Sequence, residues 1–129
     1  MDIFVKKTDT IVIDVYIWKN DNDNDIGASN IETEVPQGKE SEIIKFTFKK
    51  PDYKDSVKIQ QSIKFRVGGV DDGPVSEGLV VDFQDIILRT LLISVIQNSE
   101  VTDMKNKIDI LHPAVARSAV AGILSKVSF

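Results

Sequence analysis

An α+β fold, with N-terminal antiparallel β-strands packed against C-terminal α-helices, is predicted by three features of the sequence. Residues 11–18 form a run of β-branched and aromatic side chains, and residues 42–50 alternate apolar with polar side chains. Residues 83–97 and 114–127 are apolar at helical spacing and contain one glycine and no proline. Clusters of Asn, Asp, Gly and Pro, which favour turns, punctuate the chain between these runs.

The first strand is read over residues 9–18, where Ile11, Val12, Ile13, Val15, Tyr16, Ile17 and Trp18 leave little polar surface, so it is expected to be largely buried. Residues 19–27 are a loop, because Asn and Asp at six successive positions bond their own backbone and tolerate left-handed dihedrals. Residues 28–34 fit a short return strand that Pro36 and Gly38 cut off. In residues 42–50, Ile44, Phe46 and Phe48 share one face and Lys45, Thr47 and Lys49 the other, the pattern of a half-buried strand.

Residues 52–66 fit both periods, since Tyr53, Val57 and the Ile59, Ile63 and Val67 series suit a helix while Val57, Ile59, Ile63, Phe65 and Val67 suit a strand. Helix is preferred because Pro51, Asp52 and Asp55 match a first helical turn, where free amides meet acidic side chains. Residues 68–78 carry loop chemistry. A buried central helix is predicted over residues 83–97, capped by Asp82 with Asp85 behind it, and an Asp85–Arg89 pair is expected on its polar stripe. A last helix starts at Pro113, with Ala116, Val120, Ile123 and Val127 on one stripe, Leu124 beside it, and Ala119 and Gly122 small enough for close approach.

At 129 residues, 42% of them hydrophobic and 28% charged, the chain is expected to form one domain over residues 1–129, strand-rich in 1–50 and helical in 52–127. It contains no cysteine, which removes disulfides, thiolate nucleophiles and cysteine metal sites. The first residues lack the pattern of a signal peptide, and the most apolar run, residues 86–96, is far short of the roughly 20 residues that span a bilayer. A net charge of −4 disfavours polyanions, so neither nucleic acid nor membrane is an expected partner.

Four features bear on chemistry. Asp21, Asp23 and Asp25 with Glu32 match the ligand spacing of a twelve-residue calcium loop, but Ile26 stands where that loop needs glycine. A turn between strands is the competing reading. Lys45, Phe46, Phe48, Lys49, Lys50, Tyr53, Lys54 and Lys58 mix bases with aromatics, yet strand geometry sends Phe46 and Phe48 away from Lys45 and Lys49. His112 is the sole histidine, suited to capping the last helix or, with a serine and an acid brought to it, to general base work. The glycines of residues 68–73 lack the Gly-Lys-Ser/Thr ending of a phosphate loop. No enzyme activity and no cofactor are expected.

Three segments carry a family resemblance: Phe46-Thr47-Phe48-Lys49-Lys50-Pro51-Asp52-Tyr53-Lys54-Asp55, Asp82-Phe83-Gln84-Asp85-Ile86-Ile87-Leu88-Arg89-Thr90-Leu91-Leu92 and Leu111-His112-Pro113-Ala114-Val115-Ala116. Together they resemble small tail-morphogenesis proteins of tailed bacteriophages, particularly tail assembly chaperones. The long strand-rich N-terminal third departs from that family, and a small virion component fits equally. The resemblance implies a non-catalytic protein that binds phage tail or other virion proteins in the cytoplasm of the host cell or in the virion, and is compatible with a homo-oligomer. The expected partner-binding surfaces are uncovered parts of the last two helices, at Ile87, Leu91, Val120, Ile123 and Val127. The alternative is an ion- or ligand-binding module built on the acidic loop from Asp21 to Glu32.

Overall fold

Strand β1 (Thr10–Lys19) and strand β3 (Glu42–Lys49) form the centre of a five-stranded antiparallel sheet of order β2-β1-β3-β4-β5. The structure, a computed structural model, describes residues 2–21, 25–67 and 77–129. Strand β2 (Ile26–Ser29) returns along β1, with Trp18 opposite Gly27 and Tyr16 opposite Ser29. The pairing of β1 with β3 sets Ile13 against Phe46 and Val15 against Ile44, so the branched side chains of one strand meet a ring and a branched side chain of the other on a single face. These four residues and Phe48 are buried. Strand β1 is therefore covered on one face only, against the expectation of a largely buried strand.

After Pro51, helix α1 (Tyr53–Val67) begins in a reciprocal cap. The Asp55 N–H donates to Asp52 Oδ1 at 2.9 Å, and the Asp52 N–H donates to Asp55 Oδ2 at 3.2 Å. This is a capping box with Asp in place of Glu. Lys49, at the end of β3, adds its ammonium at 2.7 Å from Asp55 and 3.4 Å from Asp52. The Asp55 carboxylate beside it, opposed by partial burial, raises the Lys49 pKa. The Asp52 carboxyl is lowered, first by the backbone amide of Asp55 and, to a smaller degree, by Lys49.

The expected loop of residues 68–78 falls largely on residues 68–76, outside the described residues. Helix α2 spans Glu77–Leu91, so Asp82 lies inside it rather than capping it. The Asp85–Arg89 pair forms at 2.9 Å, and the same guanidinium also holds Asp109. The helix does not continue to residue 97. Leu92–Gln97 is strand β4, which pairs with β3, and β5 (Glu100–Asp103) follows within residues 52–127, the part of the chain expected to be helical. Ile93, Val95 and Ile96 are β-branched, and the far edge of β3 gives their backbone a ladder that the helix would have left open. Asn98 and Ser99 turn the chain with φ of 52° and 64°, the left-handed pair of a two-residue hairpin.

A short 3₁₀ turn (Ile108–Ile110) leads to helix α3 (Pro113–Leu124), which packs on β1 and β2 and against α2. Its buried stripe is Val115, Ser118, Ala119, Val120, Gly122 and Ile123, rotated from the expected one. Ala116 packs only partly against the core, Leu124 is exposed, and Val127 follows the helix end. Gly122 has the close approach its size allows: a Cβ there would lie 2.3 Å from Ile13 Cγ2 and 3.3 Å from Asn30 Cβ. The helices thus cover one face of the sheet, and the core lies between the two layers.

Candidate interaction surface and the acidic hairpin loop

Ile87, Leu91, Val120 and Ile123 are fully buried in the core, and Val127 is half-buried against it. The first four of these five expected partner-binding positions have no surface to offer one in this fold. They are apolar positions on the core-facing side of their helices, and the chain's own sheet covers such positions first.

The apolar surface lies instead on the outer face of the sheet. The registers place Val12, Asp14, Tyr16 and Trp18 of β1 on that face, beside Ile43, Lys45 and Thr47 of β3, Ile96 of β4 and Val101 of β5. Val12 is 47% exposed, Ile43 46% and Val101 65%. An antiparallel sheet with one solvated face ordinarily alternates apolar-in with polar-out. Here the outward positions carry both kinds, and the charges among them are mutually matched, since Lys45 Nζ is 3.2 Å from Asp14 Oδ1. A signal was present in the sequence, because Val12, Tyr16 and Trp18 sit at odd registers relative to Ile11, Ile13 and Val15 and must face away from them.

The acidic loop closes the β1–β2 hairpin, with the Asn20 N–H donating to the Asp25 carbonyl at 2.9 Å. The Asp21 carboxylate pairs with Lys39. Asp25 Oδ1 accepts from the Ile26 N–H at 2.8 Å and lies 2.7 Å from His112 Nε2. The His112 ring, followed by the Ile26 amide, holds the Asp25 carboxyl below the usual carboxylate range. Glu32 starts a 3₁₀ turn and is exposed, in place of the end of the expected return strand, while Asp23 lies outside the described residues. Among the described residues no group of three His, Asp or Glu side chains is arranged to hold a metal ion. Two of the four expected calcium ligands are instead drawn onto separate partners, Lys39 and His112.

His112 caps α3: its Nδ1 accepts the Ala114 N–H at 3.1 Å. One neutral tautomer serves both contacts, with Nε2–H toward Asp25 and the Nδ1 lone pair toward Ala114. Neither nitrogen is free to take a proton from a nucleophile in this arrangement. The basic and aromatic cluster is also split as the strand geometry requires. Phe46 and Phe48 stack on each other in the core with centroids 6.4 Å apart, while Lys45 stands on the outer face. No helix among the described residues is long and apolar enough to cross a membrane.

No family model, curated protein or solved structure matches the chain.

Proposed function

We propose that this chain is a non-catalytic protein that works by protein–protein contact in bacteriophage tail assembly or virion structure, in the host cytoplasm and, as a structural component, in the particle. The observation that carries the contact role is the outer face of the sheet, where Val12, Ile43 and Val101 stand open beside Tyr16, Trp18 and Ile96. Exposed apolar area of this kind ordinarily marks a partner site. The phage assignment rests on the three sequence segments that resemble tail assembly chaperones. The acidic loop is a poorer basis for function, because Asp21 and Asp25 are already bound by side chains of this chain.

Photo-crosslinking tests the reading. A benzophenone amino acid in place of Ile43 or Val101 should yield adducts with tail proteins in an infected-cell lysate, and the same probe at Lys54, on the helical side, should not. Adducts confined to metabolic enzymes, or equal yields from all three sites, would reject it.

A further inference from the structure

Strand β1 is ten residues long, but β2 pairs with it only from Tyr16 to Lys19. The Lys50 N–H donates to the Asp9 carbonyl, which makes Asp9 and Lys50 a hydrogen-bonded pair of the β1–β3 ladder. Antiparallel pairing alternates, so the odd-numbered residues of β1 turn their main-chain groups toward β3 and the even-numbered ones turn them the other way. Tyr16 and Trp18 meet β2 there. Thr10, Val12 and Asp14 have the same orientation and, among the described residues, no strand beside them. An open groove of about 240 Å³ runs along this edge, lined by Val12, Asp14, Tyr16, Asn30, Gly122 and Lys126.

We propose that this edge binds the same edge of a second copy, β1 against β1 antiparallel about a two-fold axis at Val12. Free strand edges are templates for strand addition, and three features select a second copy as the occupant. First, the register centred on Val12 uses all three free positions and sets Asp14 of each copy opposite Thr10 of the other. A register centred on Asp14 would oppose two carboxylates. Second, Asp14 already carries the Lys45 ammonium, so the edge is locally neutral although the chain as a whole carries −4. Third, the slot ends at Asp14, just before Ser29 pairs with Tyr16, and opposite Asp14 an incoming β1 has reached its own first residue, Thr10. The residues before it are folded into a turn, closed by the Asp9 N–H on the Lys6 carbonyl, and so leave the line of the strand. The contact is isologous and closed, which limits it to a dimer. It is independent of the partner proposed for the outer face.

Sedimentation equilibrium and amide hydrogen exchange on the full chain test this. A concentration-dependent dimer is expected, with the Val12 and Asp14 amides slowing as it forms while the Ile11 and Ile13 amides are slow throughout. Thr10→Lys sets a cation opposite Asp14 in both symmetry-related pairs and should tighten the dimer by about two- to thirtyfold, and Thr10→Asp should weaken it by a similar factor. Val12→Pro removes an N–H that β3 does not use and should abolish the dimer while circular dichroism stays unchanged. If that variant fails to fold, the opposite signs of the two Thr10 variants decide. A chain that stays monomeric at millimolar concentration overturns the proposal, as does a dimer insensitive to Thr10, or Val12 and Asp14 amides already protected at the lowest concentration.

Discussion

Gly122→Ala tests how α3 is seated on the sheet. A Cβ built at Gly122 falls 2.3 Å from Ile13 Cγ2, against a normal carbon–carbon contact of about 3.5 to 4.0 Å. The neighbour is a methyl on a branched carbon next to the β1 backbone, 3.6 Å from the same Cβ at its own Cβ, so it cannot swing aside as the tip of a long side chain would. Either α3 lifts by more than an ångström or Ile13 leaves its rotamer. Overpacking of this kind costs about 1–3 kcal/mol. Alanine returns about 1 kcal/mol of helix propensity, so the net effect should be a loss of about 0–2 kcal/mol. The sign within a double-mutant cycle is sharper than the net. With Ile13→Ala in place the obstructing methyl is gone, and Gly122→Ala should then stabilise by up to about 1 kcal/mol. Urea unfolding followed by Trp18 fluorescence measures all four corners. Additive effects, or a stabilising Gly122→Ala in the unmodified chain, would mean that α3 does not lie this close to β1.

Three further outcomes follow from the same structure. His112→Ala should cost about 1 kcal/mol through loss of the α3 cap and should raise the Asp25 titration midpoint toward the ordinary carboxylate range, seen by carbon NMR. Because the Asp25 pKa is lowered in the folded chain, its stabilising effect is present above the unfolded carboxylate value and fades as pH falls through the lower folded value. An Asp25 midpoint unchanged by the substitution would contradict the contact. Ser99→Gly should stabilise by a few tenths to about 1 kcal/mol, because serine at φ 64° carries a left-handed penalty that glycine lacks, less glycine's greater unfolded-state entropy; thermal melts would show it. Millimolar calcium should leave the melting temperature unchanged, since Asp21 and Asp25 are held by Lys39 and His112; a rise of several degrees would restore the loop as an ion site.

The α+β class was legible because residues 42–49 alternate cleanly and Pro113 opens a helix where its missing amide proton costs nothing. The boundary at residue 92 was not. Leu91, Leu92, Ile93, Val95 and Ile96 satisfy a helix buried all round as well as a strand, and what separates the two is the unpaired edge of β3, a long-range partner that no local window contains. Asn98-Ser99 was the local clue to a hairpin, weakened by serine where glycine is usual. The acids at 82 and 85 resembled a helix start, while Asp52 and Asp55, with the same spacing, make one. For the interaction surface, hydrophobicity pointed inward to Ile87 and Val120; alternation alone separates Val12, Tyr16 and Trp18 from Ile11, Ile13 and Val15, but which of the two sets turns away from the helices is fixed by the packing of the sheet.

The place of β4 in the sheet has a kinetic consequence. β1 with β2, and β4 with β5, are hairpins closed by short connections, whereas β3 and β4 are neighbours separated in sequence by both α1 and α2. Bringing their ends together means closing a loop of roughly forty residues before any contact rewards it, a cost that grows with the logarithm of loop length. Zipping the β4–β5 hairpin onto β3, already paired with β1 and β2, along Phe46 and Val95 is therefore the expected rate-limiting event, and truncating Val95 should slow refolding more than it speeds unfolding.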